Sequence, residues 1–123
     1  MFELAKLSKT FGDLKALSDI ELSIPEGQTT VLIGPSGCGK STLIRLMVGL
    51  VWPDAGTVTL DGQALMPENV LALRQKVGYV IQDGGLFPHL TAQANVALMA
   101  KHLGWTQNQI DERVEALATL THF

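Results

Sequence analysis

This chain is short of most features that would mark a secreted, membrane-spanning or nucleic-acid-binding protein. It carries one cysteine in 123 residues, so no disulfide closes within it, and an oxidising compartment is not indicated. Lys and Arg number nine against twelve Asp and Glu, for a net charge of −3. The cations are scattered rather than gathered into a stripe, which argues against DNA or RNA as a direct ligand. The apolar run Leu46 to Trp52 falls far short of the roughly 20 residues that cross a bilayer. The start, Met1 to Lys6, has neither the charged segment nor the long apolar segment of a signal peptide, so a cytosolic chain with no membrane span of its own is expected. His89, His102 and His122 show no ligand spacing and no cysteine partner, so no metal centre of that type is expected. Repeats and low-complexity segments are absent.

What the sequence does have is apolar residue content, 46%, enough for the core of one domain or a piece of one. It also has the stretch Gly34-Pro35-Ser36-Gly37-Cys38-Gly39-Lys40-Ser41-Thr42. This fits G-x-x-x-x-G-K-[ST], the loop whose backbone N–H groups wrap nucleotide phosphates. Thr30 to Ile33 before it reads as a buried strand, and Leu43 to Leu50 after it as a helix, the context that the mechanism requires. Glycines 34, 37 and 39 are expected at positive φ, turning successive N–H groups inward with no Cβ in the way. The anion would then rest on a helix N-terminus. Lys40 would reach the β- and γ-phosphates, Ser41 would join the shell of a Mg²⁺, and Thr42 would donate to the α-phosphate. Cys38 reads as a small residue packed in the loop, or as a thiol activated by a cationic neighbour.

Along the chain, Phe2 to Leu7 and Ile20 to Ile24 alternate as half-buried strands, expected to be antiparallel neighbours. Thr10-Phe11-Gly12-Asp13 between them is a turn signal carrying an exposed aromatic. The helix from Lys40 should end near Gly49, and Trp52 to Gly56 should turn into the strand Thr57 to Leu60, with Asp61-Gly62 a hairpin signal. Pro67 to Lys76 reads as a short helix, and Val77 to Ile81 as a fully buried core strand with Gln82 at its carboxyl end. Ligands of open α/β sheets bind beyond such ends. Asp83 to His89 is a loop exposing Leu86 and Phe87, as a docking surface would. From Thr91 a helix places Val96, Met99, Ala100 and Leu103 on one stripe, with Met99 read as core, and Gly104 stops it. Thr106 to Gln109 matches a capping box for a second helix with the stripe Ile110, Val114 and Leu117. Asp111, Glu112 and Glu115 read as its solvated face.

Together these stretches resemble the N-terminal part of an ABC-type ATP-binding subunit. The resemblance rests on Leu7 to Gly12 with Ala16-Leu17, on Leu32 to Leu43, on Gly49-Leu50 through Pro53 to Gly56, on Leu60-Asp61-Gly62, and on Val77 to Gln82. It implies an α/β fold: a P-loop NTPase core with an N-terminal antiparallel β subdomain over residues 1–90, and the beginning of a helical subdomain over 91–123. It implies ATP and Mg²⁺ as ligands. Phe11 would stack on adenine, joining Gly34, Pro35, Ser36, Gly37, Cys38, Gly39, Lys40, Ser41 and Thr42 in the ATP site. Lys40 and Gln82 would take catalytic roles, and Ser41 and Gln82 would face the metal. Leu86 and Phe87 would contact a transmembrane permease subunit, with the protein peripheral on the inner face of the cell membrane.

In complete members a second ATP-binding subunit docks head to tail. Nothing after Gln82 matches the LSGGQ-type signature, the apolar strand ending in Asp-Glu, or the switch histidine, and a strand expected between Thr30–Ile33 and Val77–Ile81 is missing. The resemblance therefore implies an incomplete domain that binds nucleotide and does not hydrolyse it alone. The order Gln82 to Thr91 is similar to subunits serving uptake of compatible solutes such as glycine betaine or choline, or of polar amino acids. A soluble ABC-type ATPase of DNA repair, or a small nucleotide kinase or GTPase, shares the phosphate loop and stays open as an alternative.

Overall fold

A computed structural model describes residues 1–122, with Phe123, the last residue of the expected helical portion, outside the described residues. The chain divides into two compact units, the first Met1–Tyr79 and the second beginning at Val80.

The first unit is built on a hairpin. Strands β1 (Phe2–Phe11) and β2 (Leu14–Ile24) run antiparallel on either side of the Gly12-Asp13 turn, as their alternation predicts. Strand β3 (Ala55–Leu60) joins the far side of β1, and the two-residue β4 (Gln63–Ala64) follows across Asp61-Gly62, giving the order β2-β1-β3-β4. A strict period of two from Leu4 would send Lys6, not Leu7, into the core. The structure resolves this with irregularities: Lys6 sits at φ 50° and the register shifts between Leu4 and Leu7, so Leu7 is fully buried. Asp19, at φ 49°, makes the matching change between Leu17 and Ile20. Bulges of this kind reset which face a strand presents.

Helix α1 (Lys40–Met47) lays Leu43 and Leu46 onto Leu4, Leu7, Leu17 and Val58 to close the core. Each such leucine contributes roughly 2 kcal/mol by burial. The helix ends with Gly49 N–H donating to Leu46 C=O and Leu50 N–H to Arg45 C=O, the paired bonds of a Schellman cap. Arg74, closing the short helix α2 (Val70–Arg74), donates from Nε to Val48 C=O at 2.9 Å and from Nη2 to Gly49 C=O. A guanidinium thus satisfies the carbonyl end of α1, where the helix dipole favours a cation.

Two expectations fail here. Thr30 to Ile33 and Val77 to Ile81 are irregular, not buried strands. Val31, Ile33 and Val80 are 71%, 92% and 94% exposed, while Leu32 alone of the first run packs on the core. A strand exists through its neighbours' hydrogen bonds, and among the described residues none flanks either run in sequence-matched pairing. Apolar content alone does not supply that pairing.

The turn before β3 is clasped to β1. Asp54 N–H donates to Ser8 C=O at 3.0 Å, and its carboxylate accepts from Lys9 Nζ and Thr10 N–H, both at 2.7 Å. The Lys9 hydrogen bond, then the Thr10 N–H, holds the Asp54 carboxyl below its usual range. A depressed carboxyl stabilises the fold at pH above its unfolded value of about 3.9, and that contribution disappears as pH falls through the lower folded value. The melting temperature should therefore drop below about pH 4, and less steeply in an Asp54→Asn chain, which has given up this linkage already. Asp61, lowered by its bond to the N-terminal ammonium, leaves a residual slope. Calorimetric scans in that window check this, and parallel acid limbs would contradict it.

The second unit pairs α3 (Ala92–His102) with α4 (Gln107–Thr121). Thr106 and Gln109 form the expected capping box, and Thr91 caps α3 by accepting from Ala94 N–H at 3.1 Å. The expected core stripe of α3 is not buried: Val96, Met99 and Leu103 are exposed, and Ala97 with Ile110 forms the seam instead. Two helices share one line of contact, so the small Ala97 lets them approach and the wider apolar face of α3 stays uncovered within this unit. No helix among the described residues is long and apolar enough to cross a membrane.

Candidate functional site

The segment Gly34 to Thr42 forms a loop running into α1. Its last loop residue, Gly39, is the helix N-cap at φ 97°, and Gly37 lies at φ 79°. Both are conformations that a side chain resists. Gly34 departs from expectation, because it is not at positive φ. Its need for glycine is spatial: a Cβ there would lie 2.7 Å from Cys38 Sγ. Gly39 is constrained twice, since a Cβ would also stand 2.8 Å from Ala16 C=O and 2.9 Å from a Leu17 methyl on β2. The hairpin therefore backs the loop directly.

No side chain caps α1, and its first internal bond runs from Leu43 N–H to Gly39 C=O at 2.9 Å. The N–H groups of the first turn are the ones that a helix leaves without internal partners. Lys40, half-buried at the first helical position, folds its ammonium back over the loop. Nζ donates to Gly34 C=O and Pro35 C=O, each at 2.7 Å, and lies 3.5 Å from Cys38 Sγ. One cation thus gathers the mouth of the loop from inside. Ser41 is exposed and Thr42 half-buried at the same helix end, while Pro35, Ser36 and Cys38 are exposed around the loop. Hydroxyl oxygen is the donor class that Mg²⁺ takes, and Ser41 meets that requirement.

Phe11 closes β1 opposite Leu14 and is 47% exposed. The Lys9 ammonium stands 5.3 Å from its ring centroid, within cation–π range. Sequence reasoning singled out Phe11 and missed Lys9 and Asp54, although the Trp52-Pro53-Asp54 turn signal was visible.

The remaining candidates belong to the second unit. Gln82 is exposed in an irregular segment, and Leu86 and Phe87 are exposed at 72% and 48%. Their loop is organised by Asn95, another residue that the sequence did not flag. Asn95 Oδ1 accepts from Phe87 N–H at 2.7 Å, and Nδ2 donates to the carbonyls of Phe87, Leu90 and Thr91 at 3.2, 3.2 and 3.0 Å. One amide on the first turn of α3 thereby fixes the backbone that displays Leu86 and Phe87. The Phe87 ring meets His89 edge-on, with centroids 5.9 Å apart.

Known proteins resemble this chain in sequence and in fold. The chain is 43% identical over 121 residues to the choline transport ATP-binding protein OpuBA of Bacillus subtilis, covering 98% of this chain and 32% of that protein. It is 42% identical over 125 residues to the Fe(3+) ions import ATP-binding protein FbpC 2 of Pectobacterium atrosepticum, covering 99% and 36%. It therefore spans about a third of the length of these curated relatives. Among solved structures, the dimeric bacterial ABC transporter cassette MJ0796 superposes with a TM-score of 0.90 at 29% identity, over 100% of this chain and 58% of that one. The sequence profile of the family described as ABC transporter matches residues 17–122. With the profile spanning most of its length and the cassette fold shared, this chain belongs to the ABC transporter family.

Proposed function

We propose that this chain is the nucleotide-gripping part of the ATP-binding subunit of an ABC importer. The observation that carries the reading is the loop from Gly34 to Thr42, whose Gly34 and Pro35 carbonyls hold the Lys40 ammonium beside an uncapped helix N-terminus. In the bound state Lys40 exchanges the Gly34 and Pro35 carbonyls for β- and γ-phosphate oxygens. Ser41 faces Mg²⁺, which would neutralise phosphate charge, and Thr42 donates to the α-phosphate. Phe11 stacks on adenine, a contact that uses the π-face and reads no hydrogen-bond pattern. Gln82 serves the metal and the attacking water, and Leu86 and Phe87, displayed by Asn95, meet a transmembrane permease subunit on the cytoplasmic face of the membrane.

A second ATP-binding subunit completes the site head to tail. The division at residue 90 between nucleotide-binding core and helical portion belongs to the same reading. Cargo is proposed as a compatible solute, glycine betaine or choline, or a polar amino acid; similarity to the choline protein supports the first. Positioning phosphates without a general base or a closing loop gives little transition-state stabilisation, so this chain by itself binds and does not turn over.

Titration calorimetry with Mg·ATP, alongside a phosphate-release assay, tests the reading. Saturable binding of both Mg·ATP and Mg·GTP with no turnover is expected. Absence of any heat on folded protein overturns the grip, strong preference for guanine favours a GTPase-like site, and turnover lost in Lys40→Ala overturns the inert state.

A further inference from the structure

The clasp beside Phe11 is not needed to explain the hairpin. Lys9 faces two partners at once: its ammonium is 2.7 Å from Asp54 Oδ1 and 5.3 Å from the Phe11 ring centroid. Its side chain is only 16% exposed, so the stem lies along the sheet instead of wandering in solvent. Asp54 in turn is held at three points, by Ser8 C=O, Lys9 Nζ and Thr10 N–H. An unsupported aromatic at a hairpin end samples several rotamers, whereas a cation fixed over one face of the ring biases it toward one orientation.

We propose that Lys9 and Asp54 are positioning residues for base recognition: Asp54 fixes the Lys9 ammonium over one face of the Phe11 ring, which presents the opposite face as a prepared platform for a purine. The ammonium also draws electron density from the ring, and an electron-poor face stacks better on the electron-rich adenine. This rests on the nucleotide reading above, and it adds to it a specific source for the affinity of the base as distinct from that of the phosphates. The prepared ring reduces the ordering cost that stacking would otherwise carry.

The clasp should act only on ligands that possess a base. Binding of Mg·ATP and of Mg·tripolyphosphate, which has the phosphates and no purine, is measured by calorimetry on the full 123-residue chain and on Lys9→Met, Lys9→Arg, Asp54→Asn, Phe11→Ala and the Lys9→Met/Phe11→Ala double variant. Lys9→Met and Asp54→Asn should each weaken Mg·ATP about three- to fivefold and leave tripolyphosphate unchanged. Lys9→Arg, which keeps a cation over the ring, should restore Mg·ATP binding. In the Phe11→Ala background the Lys9→Met change should have no further effect.

Equal weakening of both ligands would make the clasp merely structural and overturn the inference, as would an undiminished Lys9 effect without the ring. Failure of the unchanged chain to bind either ligand would instead remove the nucleotide reading itself and this inference with it. Binding of both ligands with Mg·ATP affinity unchanged in Lys9→Met, Asp54→Asn and Phe11→Ala would leave the phosphate grip standing and overturn the platform alone.

Discussion

A Lys40→Ala chain is expected to bind Mg·ATP about a hundredfold more weakly than the unchanged protein while melting within a degree or two of it, both on the order of what one lost charge contact implies. The asymmetry follows from where Nζ stands. In the ligand-free structure its partners are the Gly34 and Pro35 carbonyls on an exposed loop, and water replaces an ammonium there at little cost. On the proposed reading, the same ammonium would meet several negative phosphate oxygens at the uncapped N-terminus of α1, where a charge-assisted bond is strong. Removing it would then leave a bound polyanion without the lysine that faces it on that reading. Lys40→Arg keeps the charge but swaps a compact three-donor head for a wide planar fork, so it should recover only part of the loss. Calorimetry for affinity and scanning calorimetry for melting separate the terms. Equal affinity in Lys40→Ala would mean that the loop carbonyls, not a phosphate, are what Lys40 serves.

The parts of the structure that could be read from the sequence are those that local chemistry dictates. The glycine spacing before Lys40 demands a loop entering a helix, the Gly12-Asp13 turn demands a hairpin, and Thr106 with Gln109 demands a helix start; the structure has all three. What escaped depends on residues distant in the chain. Arg74 capping Val48 and Gly49, and Lys9 meeting Asp54, join positions tens of residues apart, with no pattern to announce them. Asn95 is only eight residues from Phe87, yet an amide has many acceptable partners and the fold chooses among them. Lys6 and Asp19 take positive φ without being glycine, so the bulges that bring Leu7 inward were invisible to a period-two count. The runs around Val31 and Val80 show the reverse error. Their composition says buried strand, but a strand's backbone bonds come from its neighbours, and apolar side chains do not create those neighbours.

The same bulges make Gly56 a position in the first unit that tolerates no side chain. A Gly56→Ala chain should lose roughly 3 kcal/mol of stability, which for a unit of this size is a fall on the order of 15 °C in melting temperature. Gly56 lies at φ 87°, opposite the shift between Ala5–Thr57 and Ser8–Ala55 where β1 bulges at Lys6. An added Cβ would drive into the Lys6 carbonyl and stand 2.5 Å from the Ala5 carbonyl. Both are backbone atoms, so no rotamer change relieves the contact and the β1–β3 ladder must part. Gly62 provides the control: it has φ 77° with nothing within 4 Å of its Cβ position, so Gly62→Ala should cost only the backbone term, about 1 kcal/mol. Equal losses at the two positions would show that conformation, not collision, governs both. The consequence reaches the Phe11 end of the hairpin, because Asp54 holds Ser8, Lys9 and Thr10 from just before this crossing. Parting the ladder at Gly56 should release that hold, so that folded Gly56→Ala protein, studied below its lowered melting point, loses affinity for Mg·ATP before it loses affinity for tripolyphosphate.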